Sequence, residues 1–207
     1  MSGRIFLLSP ASLSGMRSRM LFNPEAGFDL ARRLRSRGGA PIGEVFTFLS
    51  GLYFRGKLAY ALEFARPPER THGVLVITTG AGLLPAAEPV TLRHLKRFSG
   101  INIDLGEPRY RRPLLQSARE LDRRAASDSQ IVLLGSIASG KYVDILGEVF
   151  GERLVFPSDF VGRGDMSRGG LMLRKVREGR ELSYTPVLTA VRHGQRPPKL
   201  PRLPRRP

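Results

Sequence analysis

Apolar residues fall in short blocks along this chain, and the spacing inside and between the blocks predicts its elements. The clearest block is IVLL at 131–134, stopped by Gly135. A short, partly β-branched run that ends at a glycine reads as a buried strand. Helical spacing resumes at Lys141, which makes the unit a strand, a tight turn and a helix. Arg4–Leu8, stopped by Ser9-Pro10, residues 74–79, ending in Thr79-Gly80-Ala81-Gly82, and residues 153–156 repeat the strand pattern.

Between these blocks the period changes to that of helices. Asn23-Pro24-Glu25 has the chemistry of a helix start, after a loop over 11–19. That helix is expected to end among Arg32, Arg33, Arg35 and Arg37, before Gly38-Gly39. Residues 44–65 carry Val45, Phe48, Leu49, Leu52, Leu58, Ala61 and Leu62 at helical spacing. Gly51 and Gly56 interrupt it, so a broken helix or two helices are expected. Thr91 caps a short basic helix over 92–98, and a further helix covers 113–126. From 171 to 187 the pattern fits a hairpin about Glu178-Gly179, although 171–177 also passes as helix.

Strands alternating with helices predict the α/β class: a single domain over 1–191 with a mixed sheet flanked by helices. Residues 192–207, RHGQRPPKLPRLPRRP, are basic and proline-rich and are expected to form a disordered C-terminal tail.

In such sheets ligands meet the turns at the carboxyl ends of strands. Gly135, Ser136, Ser139 and Gly140 are small, and two are hydroxylic, which suits a ligand-binding turn. Gly135 to Lys141 also spells the phosphate-loop pattern G-x-x-x-x-G-K. Tyr142 stands where a short hydroxyl should hold magnesium, and a phenol oxygen lies too far from the backbone for that task. The strand–turn–helix reading is preferred, and no ATPase activity is expected.

Charge changes the picture more than composition does. Hydrophobic residues make up an ordinary 41%, but 34 Lys+Arg stand against 18 Asp+Glu, a formal net charge of +16. Arginine dominates, and its planar fork suits phosphate and base recognition. Nucleic acid is the expected partner class, ahead of an anionic membrane surface. With no cysteine there is no disulfide and no thiolate chemistry, and three dispersed histidines (His72, His94, His193) lack metal-ligand spacing. No metal or cofactor is expected. The apolar run near the N-terminus is too short for a signal peptide, and no segment approaches the ~20 apolar residues of a membrane span, so a cytoplasmic location is expected.

Several further stretches are candidates. Tyr53, Phe54, Arg55 and Lys57 could stack on bases, although helical aromatics usually serve the core. The arginines at 32–37 read equally as helix capping and as a phosphate-facing patch. Asp104 and Glu107 sit in a mixed-charge loop. The segment 162–170, GRGDMSRGG, places Arg163 and Arg168 around glycines, as an anion-binding nest with charged clamps requires.

Five of these stretches, in this order, resemble the YaaA family, bacterial proteins associated with resistance to peroxide stress. Ser9-Pro10-Ala11 resembles its S-P-A-K opening, with Ser12 in place of lysine. Gly43-Glu44-Val45-Phe46 with Phe48-Leu49 resembles G-D-V-Y-x-G-L, and Gly82-Leu83-Leu84 its glycine turn. Ile137-Ala138-Ser139 with Tyr142 resembles L-A-S-x-E-Y. Arg163-Gly164 with Met166-Ser167-Arg168 resembles R-G-x-M-S-R. The resemblance spans about residues 4–175. It implies an α/β fold with a basic cleft, DNA binding, and protection of DNA in peroxide stress through recognition of damaged bases. The family's R-P-L-D segment is absent, since 85–90 reads PAAEPV. Lys141 and Asp144 carry the reverse of the family's charges, which suggests a swapped ion pair.

The expected ligand-binding residues are therefore Ser9, Gly80, Gly82, Ser136, Ser139, Tyr142, Arg163, Ser167 and Arg168. The expected partner is DNA, with RNA or a nucleotide as the alternatives. The competing class is an enzyme acting on a nucleobase or nucleotide N-glycosidic bond in the same cleft. Asp159 and Asp165 are its candidate carboxylates, with Asp104 behind them.

Overall fold

A computed structural model describes residues 3–192, 194–198 and 200. The strands are β1 (Arg4–Leu8), β2 (Ala40–Pro41), β3 (Val74–Ile77), β4 (Leu83–Pro85), β5 (Pro89–Val90), β6 (Gln130–Leu134), β7 (Leu154–Pro157) and β8 (Tyr184–Pro186). The helices are α1 (Met16–Phe22), α2 (Asp29–Arg35), α3 (Ile42–Ser50), α4 (Leu52–Phe64), α5 (Leu92–Ser99), α6 (Pro108–Arg124), α7 (Gly140–Phe150) and α8 (Asp165–Glu178).

Six strands form one mixed sheet in the order β4-β3-β1-β6-β7-β8, and β2 pairs with β5 in a separate two-stranded ribbon. β3, β1, β6 and β7 run parallel, while β4 and β8 close the two edges antiparallel. Ile5–Leu8 and residues 131–134 are fully buried, as expected of parallel strands covered on both faces. From β1 the chain crosses toward β3, and from β6 it crosses the opposite way toward β7. Right-handed crossovers then place α4 and α7 on opposite faces, and the connections diverge between β1 and β6. Leu8 pairs with Leu134 at that point.

α4 lies against β1 and β3 and packs along α8 at unusually close range. A Cβ on Gly56 would lie 2.6 Å from the Gly169 carbonyl oxygen, and one on Gly169 2.7 Å from that of Leu52. Gly56 is therefore a contact glycine, while the break between α3 and α4 belongs to Gly51, at φ 62°.

Elsewhere the boundaries depart from the sequence pattern. Asn23 starts no helix; its side chain accepts the Glu25 N–H in a turn, and α2 begins at Asp29. The loop expected over 11–19 contains the start of α1. α6 starts five residues early, because Glu107 caps it by accepting the Arg109 N–H, and Pro113 is carried inside the helix. The segment at 162–170 is no free nest: it turns into α8 at Asp165. Glu178-Gly179 is that helix's end and not a hairpin, with Gly179 in the left-handed region.

Tyr53, Phe54 and Lys57 form no base-stacking surface, since all three are buried. Lys141 makes no ion pair with Asp144 among the described residues; the Asp144 carboxylate folds back over Gly140. The arginines of α2 are largely spoken for: Arg33 bridges Asp29 and Glu44, and Arg35 donates to the Asn23 and Ala26 carbonyls. Of the tail, residues 194–198 and 200 lie against 161–170; from 201 on, the expected disorder falls outside the described residues. No helix is long and apolar enough to cross a membrane.

Candidate functional site

The divergence between β1 and β6 puts Ser9 and Gly135 side by side. Ser9 N–H donates to the Leu134 carbonyl, and a Cβ on Gly135 would come within 2.9 Å of the Ser9 Cβ. The approach requires glycine on β6 and a small residue on β1. Ser9 in turn holds Lys57, whose Nζ donates to its carbonyl at 2.6 Å and its hydroxyl at 2.9 Å. Lys57 is 1% exposed, and its ammonium lies over the rings of Tyr53 and Phe54, at 4.4 and 4.8 Å from the centroids. Burial pushes the Lys57 pKa down to about 7, with the Asp165 carboxylate opposing that shift and Arg168 reinforcing it.

The same cluster reaches two phenols. Burial raises Tyr53 to about 12, and its hydroxyl is a buried group without a hydrogen bond among the described residues; Arg168 lies near it but outside hydrogen-bond geometry. Tyr142, in the first turn of α7, is also raised to about 12, by burial and then by the nearby Tyr53 and Asp165. Asp165 opens α8 and faces Arg168 at 3.7 Å. α8 can bring this pair to α4 only because Gly56 and Gly169 let the helices touch.

Beside this cluster, at the carboxyl ends of β1 and β3, a cleft of about 420 Å³ opens. Its walls are residues 10–14, Thr79, residues 98–99 and 101–103, Phe46 and Tyr142. Thr79 donates to the Phe98 carbonyl at 2.7 Å and Arg97 to that of Gly80, which fixes the end of α5 over the cleft. The Ser12 and Ser14 hydroxyls are 2.9 Å apart on the opposite wall. The Asn102 amide and the Tyr142 phenol make no hydrogen bond to other described residues, so both are available to a ligand. The size is right for one nucleoside-sized molecule.

The sequence-predicted residues divide. Ser9, Tyr142, Asp165 and Arg168 converge on the cluster. Ser136 and Ser139 sit on its rim, in the turn after β6; the Ser136 hydroxyl accepts the Ala138 N–H, and Ser139 makes no side-chain cap on α7. Gly80 shapes the cleft through its carbonyl, whereas Gly82 is a left-handed turn packed on Pro113 of α6. Arg163 points away, to the Asp159 carbonyl (3.0 Å), the Ser167 hydroxyl (3.3 Å) and the tail at Pro198 (3.5 Å). Arg168 donates to the Phe160 carbonyl (3.2 and 3.0 Å), so the two arginines do not clamp one turn. Asp159 is exposed on a short 3-10 turn, away from the phenols. Asp104 and Glu107 form no acid–base pair, because Arg109 and the helix-capping N–H hold Glu107 down at about 2.

Lys57 and Tyr53 were expected only as part of a base-stacking surface and not as a buried cluster, and Asn102 was not expected at all. Lys57 did leave a signal: with Tyr53, Tyr60, Ala61 and Phe64 it lies on the apolar stripe of one helix, where a cation has no packing reason to be. Asn102 left none. No group of His, Cys, Asp or Glu side chains suited to a metal occurs among the described residues. No family model, curated protein or solved structure matches the chain.

Proposed function

We propose that the protein binds nucleic acid, DNA in the first place, and takes a single base into the cleft at the carboxyl ends of β1 and β3. The supporting observation is the pairing of Tyr142 and Asn102 in that cleft. A phenol and an amide, both unengaged, offer donors and acceptors to a base edge above an apolar floor. The net charge of +16 supplies the attraction for the phosphates on either side. Protection of DNA in peroxide stress, through recognition of damaged bases, follows from the resemblance to the YaaA family and is proposed on that ground.

A fluorescent single-stranded oligonucleotide and an abasic chain of equal length test the reading. The wild-type chain binds the base-bearing strand more tightly. Tyr142→Phe and Asn102→Ala each remove about 1 kcal/mol of that preference and leave the abasic chain unaffected. Equal affinity of the wild-type chain for both strands overturns base capture.

Asp165 favours a second reading, in which the bound base is released. Its carboxylate acts electrostatically on Lys57, Tyr53 and Tyr142. A carboxylate so placed would stabilise positive charge developing on the sugar as the N-glycosidic bond breaks, with water adding to the sugar and its proton leaving on the base. Base release that disappears in Asp165→Asn, with binding retained, is the expected outcome of that reading.

A further inference from the structure

The buried amine of Lys57 has no part in base capture, and its surroundings are those of a proton acceptor. Its position belongs to the buried face of α4, where methionine would pack without the cost of burying a cation. Instead its Nζ reaches Ser9 and makes both of its hydrogen bonds there, to the carbonyl at 2.6 Å and the hydroxyl at 2.9 Å. Burial lowers its pKa to about 7, so the neutral amine, with a free lone pair, is well populated near neutral pH. With one N–H kept on the Ser9 carbonyl, that lone pair can accept the Ser9 O–H along the same 2.9 Å line. A hydroxyl and an amine joined in this way are a nucleophile with its base.

Ser9 stands at the edge of the cleft, directly before Pro10 and Ala11 of its wall. The turn after β6 touches it, for a Cβ on Gly135 would lie 3.1 Å from the Ser9 Oγ. The N–H groups of Gly135, Ser136 and Ile137 make no hydrogen bond among the described residues, so this turn holds donors for an oxyanion. Arg168, the other cation that acts on Lys57, is engaged by the Phe160 carbonyl and faces Asp165. Neutral N–H donors suit the single charge of a carbonyl addition better than the spread charge of a phosphoryl group. Ala11, Leu13, Phe98, Ile101 and Ile103 give the cleft apolar walls that fit a short acyl chain or ring.

We propose that Ser9 and Lys57 form a nucleophile–base dyad that hydrolyses carboxylic esters carrying a small apolar acyl group. The Ser9 Oγ adds to the ester carbonyl carbon as its proton passes to the Lys57 Nζ, and the N–H groups of the β6 turn hold the oxyanion. The bond from that carbon to the alcohol oxygen then breaks, and Lys57 gives its proton to the leaving alcohol. Water, giving a proton to Lys57, adds to the acyl carbon; the carboxylic acid departs and the proton returns to the Ser9 Oγ. Ester hydrolysis does not rest on base capture, and its test contains no nucleic acid.

A biotinylated fluorophosphonate and p-nitrophenyl butyrate are the probes, applied to the full-length chain. Expected are one fluorophosphonate adduct per chain, found on Ser9 by peptide mass spectrometry, and a release of p-nitrophenol that Ser9→Ala abolishes. Lys57→Met, which relieves a buried charge and so keeps the fold, should slow both reactions at least about a hundredfold. The adduct is mapped on the wild-type chain, so that result does not depend on how a variant folds. No adduct, or adducts on other serines with Ser9 unmodified, overturns the dyad. So do ester hydrolysis that persists in Ser9→Ala and an unchanged labelling rate in Lys57→Met.

Discussion

Lys57 concentrates the physical tension of the molecule in one residue. An ammonium almost wholly removed from water, with one serine supplying both of its hydrogen bonds, costs stability. Its pKa is about 7 in the fold and about 10.5 when unfolded. Below pH 7 both states hold the proton and the penalty is complete. Between pH 7 and 10.5 the unfolded chain binds a proton that the fold has released, so this contribution to stability rises with pH. Lys57→Met should therefore gain most over wild type at or below neutral pH. The gain should shrink by about 3 kcal/mol between pH 7 and 10, as read by urea unfolding of both chains at each pH. A difference independent of pH would mean that Lys57 keeps its proton throughout. At the same scale, Tyr142 in the magnesium position of the phosphate-loop pattern predicts that purified protein hydrolyses no ATP above the level of Lys141→Ala.

At the scale of elements, the α4–α8 contact decides whether the site exists. Gly169 and Gly170 are neighbours on α8 with opposite demands. A methyl at 169 would press on the Leu52 carbonyl and the Tyr53 Cα of α4, at 2.7 and 2.9 Å. Backbone cannot yield as a side chain does, so Gly169→Ala should cost about 1–3 kcal/mol. At 170 the nearest atom is a Leu200 methyl at 3.9 Å, and Gly170→Ala should add about 0.5–1 kcal/mol through helix propensity. Thermal unfolding of the two variants should shift in opposite directions, by about 2–4 °C per kcal/mol. Matching shifts would show that the helices separate without cost.

For the whole molecule, the sheet and its covering helices carry the stability, while the tail carries charge. Truncation after Val191 removes Arg192, Arg196, Lys199, Arg202, Arg205 and Arg206, together with the contacts of residues 194–198 and 200 on 161–170. Those contacts comprise the hydrogen bond of Arg163 to the Pro198 carbonyl and the packing of Leu200 and Gly194 at the edge of the core, so the melting temperature should change by only a few degrees. Affinity for DNA at low salt should fall, with a shallower dependence of log affinity on log salt. A loss of cooperative unfolding would show that the tail belongs to the core.

The sequence by itself determined the four parallel strands β1, β3, β6 and β7, because short apolar runs closed by glycine or proline have no other buried use, and so it determined the α/β class and the turns where a site can lie. The turns after β1 and β6 followed from that reasoning, since strand ends are local features, while Ser9 and Tyr142 were singled out there by the resemblance to the YaaA motifs. The surroundings of Lys57, Arg163 and Arg168 were decided only by tertiary structure. Lys57 stands on the apolar stripe of its helix, but what holds it appears only when α4 packs on β1 and the Ser9 hydroxyl comes within 2.9 Å of its Nζ. Arg163 and Arg168 are five residues apart, yet the turn into α8 sends one toward the tail and the other toward Phe160. Local patterns record which residues must be buried. Only the closed packing of helices at Gly56 and Gly169 records which polar groups are buried with them, since that depends on backbone approach between residues more than a hundred positions apart.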